Sequence, residues 1–382
     1  MANYDYEIVN GRKIRVRPKE TVSEIDKNGY FRRQPNHFTT PFGDGENDLK
    51  AESNKRYRLV WAKLCHWSNR AAIVRELEGL EDQISVNMVE HAPHEKNLGW
   101  EYVYNENNID PVLGDQFLSE AYYRADDDYQ GRTTVPALID TTTGKVVNND
   151  YNWLTTYFEV NFRPWHKKGA PELYPVELRE EIDKMNLWLF DNINNAVYRS
   201  SFSRSNEGHF DGVNTFYAAM DRLEKRLETN RFIFGDYVTD SDIRLYVTLA
   251  RLDIRYTTQL GETKRPLYTY KNLWGYAKEL WEIPAFAHHT DFAAIIRQGR
   301  IEGEEDGFRA STHYDLALPK IDWDAQWKVS TERAYLSSDP THPIYLGNNR
   351  RFDIDPTWYD LGAESPKKEE KETPPFCGCC CG

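Results

Sequence analysis

Residues 56–62, RYRLVWA, set apolar Tyr57, Leu59, Val60 and Trp61 among charged or polar neighbours in the short-period pattern of a strand. Past Cys65 the period lengthens. Trp67, Ala71, Val74 and Leu77 share one helical face, and Gly79 is placed to end that helix. A second strand reads over 84–89, followed by a long irregular segment, 91–131. Residues 134–140 and 145–148 then read as two strands joined by a polar turn, with Gly144 available for a positive φ. Asp150 stands where it can cap a further helix with an apolar face of Trp153, Leu154, Tyr157, Phe158 and Phe162. Beyond about Pro164 the period is helical throughout. Ile182, Met185, Leu189, Ile193 and Val197 form one stripe; Phe210, Val213, Tyr217, Met220 and Leu227 form another. Thr239 and Asp242 make a capping-box variant before IRLYVTLARLD, and a last helix covers 270–281.

The order strand, helix, strand, insertion, two strands, helix is that of a thioredoxin-like domain, here followed by an all-helical one. The expected division is an N-terminal arm (1–55), a thioredoxin-like domain (56–163, with insertion 91–131), a helical domain with extension (164–361) and a disordered cysteine-rich tail (362–382). Pro136 opens the third strand, where a proline needs an explanation. It is either an ordinary edge-strand proline or a cis X-Pro bond that faces a reactive cysteine and frees the backbone of Val135 for a bound thiol.

Composition narrows the chemistry. The 382 residues include 11 Trp, 24 Tyr and 17 Phe, enough for large cores and aromatic-lined pockets. A net charge of −13 argues against binding nucleic acid by neutralising phosphates. No apolar run approaches the roughly twenty residues of a membrane span, and the first twenty residues lack an apolar signal core. Cys65 alone lies in the body of the chain, while Cys377, Cys379, Cys380 and Cys381 crowd its end. This is no disulfide framework, and a cytoplasmic, reducing location is expected. A strand running straight into a helix leaves Cys65 beside unpaired N–H groups and the positive end of a dipole, which favour a thiolate. The bland alternative is a buried core cysteine.

Several segments resemble the glutathionyl-hydroquinone reductases, the xi class of the glutathione transferases. RYRLVWAKLCHWSNRAAI is similar to a family strand beginning RYHL that leads to a CPWA-like turn. Gly99-Trp100 matches a GW pair, and ADDDYQGRTTVPALID matches ADPHYSGRVTVPVLWD. Asn194-Asn195-Ala196-Val197-Tyr198 is close to NNGVY, and residues 241–246 and 251–256 match ADIRLW and RFDPVY. The resemblance implies a metal-free thiol-transfer enzyme, a homodimer without bound cofactor. In it Cys65 attacks the sulfur of a glutathionyl-hydroquinone and releases the hydroquinone, and a second thiol clears the enzyme. With Ser68 three residues on from Cys65, no resolving thiol lies nearby, so that thiol comes from outside. The resemblance places Trp100, Val135 and Pro136 around the thiol substrate, and Tyr198 and Tyr256 toward the aromatic one. For these tyrosines the plain alternative is interhelix packing.

The departures concern recognition. His66 stands for the family proline, as a modulator or proton donor of the thiolate or as a tolerated turn residue. Asp150-Tyr151 stands for a Glu-Ser pair that holds the γ-glutamyl end of glutathione, so another low-molecular-weight thiol is also expected as co-substrate. Tyr314 is a weak substitute for a third family tyrosine. A non-catalytic ligand-binding protein of the same fold is the competing reading. The pair His91 and His94 lacks further ligands for a metal, and the series Asp126, Asp128, Gln130 lacks the closing Glu of a calcium loop. The tail cysteines fit no closed zinc site, and binding a soft metal, forming mixed disulfides or accepting lipid stay open for them.

Overall fold

The structure, a computed structural model, describes residues 4–16, 23–91, 98–261, 265–296 and 322–337. Tyr314, His94 and the tail cysteines lie outside the described residues. An arm opens the chain with the hairpin β1 (Tyr6–Val9) and β2 (Arg12–Arg15). The central sheet has four strands in the order β4-β3-β7-β8, from β3 (Tyr57–Trp61), β4 (Ile84–Met88), β7 (Ala137–Asp140) and β8 (Lys145–Asn148). β3 runs parallel to β4 and antiparallel to β7, and β7 is antiparallel to β8. Helix α1 (His66–Glu78) makes the crossover from β3 to β4. Its end is fixed by Gly79 in the left-handed region (φ 72°), where a Cβ would come within 2.5 Å of Lys167.

Side chains alternate across the sheet and divide the core in two. Tyr57, Leu59 and Leu138 pack with α1 and α3 (Leu154–Val160) in a cluster that continues into the helices beyond. Val60, Ala62, Ala137 and Ile139 pack on the other face with α2 (Leu118–Ala125). The stretch 91–131 is therefore not irregular throughout. It holds the short pair β5 (Glu90–His91) and β6 (Trp100–Glu101) and also α2, which covers the sheet face opposite α1 and α3. The third strand begins at Ala137 instead of residue 134, because the Val135–Pro136 peptide before it is cis and makes no ladder contact.

Asp150 does not cap α3 directly. Its carbonyl accepts from the N–H groups of Trp153 and Leu154, forming a turn ahead of a helix that starts at Leu154. Trp153 is exposed, while Leu154, Phe158 and Phe162 are wholly buried. The helical part comprises α4 (Arg179–Leu189), α5 (Ala196–Phe202), α6 (Asn206–Arg226), α7 (Asp240–Arg251), a single turn α8 (Thr257–Gln259), α9 (Lys271–Trp281) and α10 (Pro284–His288). Wide turns at Phe190–Asn194 and Leu252–Tyr256 join α4 to α5 and α7 to α8. The stripe from Ile182 to Val197 is buried at every position; in the second stripe Phe210 faces solvent. Thr239 starts α7 as expected, its N–H bonded to Asp242 Oδ2 at 2.8 Å.

The arm touches both halves. Phe42 meets Tyr57 and Phe162, whereas Phe31 meets Phe202 at the end of α5. Arg251, on the last turn of α7 and fully buried, crosses the other way. It donates to the carbonyls of Lys63 (2.8 Å) and Leu64 (2.7 Å) and to Asn69 Oδ1 (3.2 Å). Among the described residues no helix is long and apolar enough to cross a membrane.

Candidate active site

Cys65 occupies the N-cap of α1 in extended backbone (φ −83°, ψ 116°). Its turn is stapled from below by Ser68. That hydroxyl accepts the Ala62 N–H at 3.1 Å, while the Cys65 N–H reaches the Ala62 carbonyl at 3.0 Å. Ser68 is buried and engaged in this turn. The Cys65 thiol faces the Val135 carbonyl at 3.7 Å. Both line a cleft of about 740 Å³, a size suited to a small peptide or drug-sized ligand.

Three parts of the chain wall this cleft. The sheet unit contributes Trp67, Trp100 and Tyr151, the helical unit Tyr198 and Arg255, and the arm Arg33. Trp100 is stacked on His91 with ring centroids 3.8 Å apart, which spends that imidazole on packing. No metal-binding group of three or more His, Cys, Asp or Glu occurs among the described residues. Tyr151 lies against Trp67 (4.7 Å) and nearly parallel to Phe190 (5.9 Å), so a phenol ring fills its corner of the cleft. Of the residues singled out from sequence, Cys65, Trp100, Val135, Tyr151 and Tyr198 meet in the lining; Pro136, Asp150, His66 and Tyr256 sit behind it. Asp150 is buried, its Oδ1 accepting from Asn36 Nδ2 at 2.9 Å and from the Asn152 N–H at 3.0 Å.

His66 and Tyr256 form a layer beneath Cys65. His66 Nδ1 lies 3.0 Å from Tyr256 Oη and 3.1 Å from Thr248 Oγ1. Thr248 Oγ1 also accepts from Asn194 Nδ2 at 2.7 Å. Burial, with Arg251, Arg33 and Arg255 adding like charge, pushes the His66 pKa well below the ordinary histidine value. Burial likewise raises the Tyr256 pKa far above that of a free phenol. Both groups are neutral at physiological pH.

Sequence reading missed the cations. The Arg33 guanidinium lies 4.4 Å from the Tyr198 ring centre and 4.6 Å from that of Trp67, with Nε donating to Asn195 Oδ1 at 2.9 Å. Arg132 is paired with Glu24 through two nitrogens, at 2.8 and 2.9 Å. Burial opposes charge on Glu24, but Arg132 wins and holds its carboxyl below the usual range. No spacing rule marks Arg33, since the arm carries no period to place it. Its surroundings in FRRQPNHF gave no other cue.

Comparison with known proteins follows the same outline. Residues 197–279 match the family described as glutathione S-transferase, C-terminal domain. Glutathione S-transferase omega-like 2 of Schizosaccharomyces pombe is 34% identical over 279 residues, spanning 70% of this chain and 88% of that protein. Glutathionyl-hydroquinone reductase YqjG of Escherichia coli is 32% identical over 274 residues, or 70% and 83% of the two chains. The glutathione-bound structure of YqjG superposes with TM-score 0.63 at 29% identity, covering 78% of this chain and 96% of that one. Glutathione S-transferase Xi of Phanerochaete chrysosporium gives TM-score 0.65 at 33% identity, over 71% and 87%.

Proposed function

Because the chain belongs to the glutathionyl-hydroquinone reductases, the xi class of the glutathione transferases, and is a thiol oxidoreductase of that type, we propose that its chemistry runs through Cys65. The thiolate attacks the sulfur of an aryl thioether such as a glutathionyl-hydroquinone. An S–S bond forms and the S–C(aryl) bond breaks. The electron pair passes to the ring, which takes up a proton and leaves as the hydroquinone. A second thiol then attacks the mixed disulfide, releasing the oxidised thiol and restoring Cys65. Trp100 and the Val135 backbone hold the peptide-like thiol, and Tyr198 meets the aromatic ring.

The observation that carries this reading is Cys65, the one cysteine among the described residues, at a helix N-terminus and set against the Val135 carbonyl in an aromatic cleft. Glutathione bound to YqjG supports glutathione as the co-substrate. The Tyr151 ring supports weaker use of it here. In the test, the protein is mixed with a glutathionyl-hydroquinone at limiting thiol and its intact mass is measured. A mass gain of one glutathionyl unit on the wild type, absent from Cys65→Ser, is expected. Cys65→Ser loses all turnover and keeps its melting temperature, the exchange being nearly isosteric. Turnover that survives Cys65→Ser removes the nucleophile assignment.

A further inference from the structure

We infer that Arg33, delivered by the N-terminal arm, is a carboxylate anchor that sets which ligands this cleft accepts; the inference rests on the cleft being the substrate site. The chain is acidic, at −13, yet among the described residues the charged lining of the cleft consists of Arg33, Arg132, Arg204 and Arg255 against one carboxylate, Glu24, apart from His91. Glu24 is consumed by Arg132. An excess of guanidinium groups therefore faces a cavity in a protein whose overall field repels anions, and such local focusing selects an anionic ligand.

Arg33 is the member of this set placed at the nucleophile's side of the cleft. It lies over Trp67, two residues from Cys65, and over the neighbouring ring of Tyr198, 5.8 Å from Trp67. The two rings and the Nε bond to Asn195 fix the plane of the guanidinium. Nη2 is buried and has no hydrogen-bond acceptor among the described residues. With Nε bonded and Nη2 left as an unsatisfied buried donor at the wall of the cleft, a carboxylate that settles against this guanidinium supplies the missing acceptor and matches its charge, which a neutral phenol does not. Two sources would supply the carboxylate: the thiol, or an acid group on the aromatic ring. Holding the arm in place by stacking alone is the competing role. It predicts equal effects on charged and neutral ligands.

Binding to the full-length wild type, Arg33→Gln and Arg33→Lys, followed by calorimetry, separates these cases without relying on turnover. The probes are two matched pairs: glutathione and its diethyl ester, and 2,5-dihydroxybenzoate and hydroquinone. The expected result is that Arg33→Gln lowers the acid-to-neutral affinity ratio roughly ten- to a hundredfold in at least one pair, with Arg33→Lys in between. A change in the glutathione pair identifies the thiol as the source, and a change in the benzoate pair identifies the ring. Ratios that stay the same in both pairs overturn the inference, whether or not all affinities fall together. Arg33-dependent binding by a wild type that transfers no thiol would reject the proposed reaction and keep the anchor.

Discussion

At position 66 a histidine stands where the resembling turn has proline, and the structure gives it a definite state. Its ring is sealed between the sheet unit and α7, neutral, with Nδ1 directed at Tyr256 and Thr248. A proton donor to the thiolate would need a charged ring, which this burial opposes. The sign of the linkage follows. In the unfolded chain His66 protonates near its ordinary 6.5, whereas the folded chain resists; stability is complete above that pH and is lost as pH falls toward the depressed folded value. Its slope is at most about 1.4 kcal/mol per pH unit for one proton. His66→Asn keeps a polar side chain without the titration. Urea midpoints at pH 7.5 and 5.5 should therefore fall less on acidification in the variant than in the wild type. Equal falls would mean that His66 does not titrate as described.

Where element boundaries differ from the sequence reading, the cause is usually a competing local contact. Helix α2 was hidden in 91–131 because it has only eight residues and leads straight into an acidic run. Its apolar set, Leu118, Ala121 and Tyr122, becomes meaningful once the sheet face it covers is known. The order of β3, α1, β4, β7, β8 and α3 was legible because each carries a clean period and breakers lie between them. So was the place of Cys65. What was not legible is the third wall of the cleft, since contacts from residues 24–36 to rings more than thirty positions away leave no trace in spacing. Tyr151 lies on the turn before α3 and joins it to α1 through Trp67 and to the end of α4 through Phe190. Tyr151→Ser replaces that ring by a hydroxyl able to bond a substrate carboxylate, a contact worth roughly 1.5–3 kcal/mol, or about ten- to a hundredfold in affinity. Lost packing should cost about 2 kcal/mol of stability. Better turnover at limiting glutathione with a lower melting temperature is the expected pair of results. A slower rate at limiting glutathione would contradict the altered-thiol reading.

On the scale of the whole molecule, Arg251 is one of several polar fastenings between the sheet unit and the helical unit, beside His66 to Tyr256 and Thr155 to Asp240. Its bonds to Lys63, Leu64 and Asn69, together with one to the Val247 carbonyl at 2.8 Å, leave a buried guanidinium fully engaged. Arg251→Met keeps the length and removes the donors, stranding the Lys63 and Leu64 carbonyls and the Asn69 amide oxygen. The expected loss is about 3–5 kcal/mol, read from denaturant unfolding. Alkylation of Cys65 by iodoacetamide should also become faster, because the residues just before it lose their tether. Unchanged alkylation in a folded Arg251→Met protein would show that the turn holds itself.

That tether bears on how portable the reactive centre is. The two carbonyls immediately ahead of Cys65 are held by a side chain almost two hundred positions later, so the strand-to-helix turn is completed only when α7 is present. A graft of residues 56–163 onto a foreign helical partner would carry the cysteine, the cis proline and Trp100, yet leave the turn without its clasp. Chimeras that keep arginine at the position of residue 251 should inherit the reactivity; those that lack it should inherit only the outline.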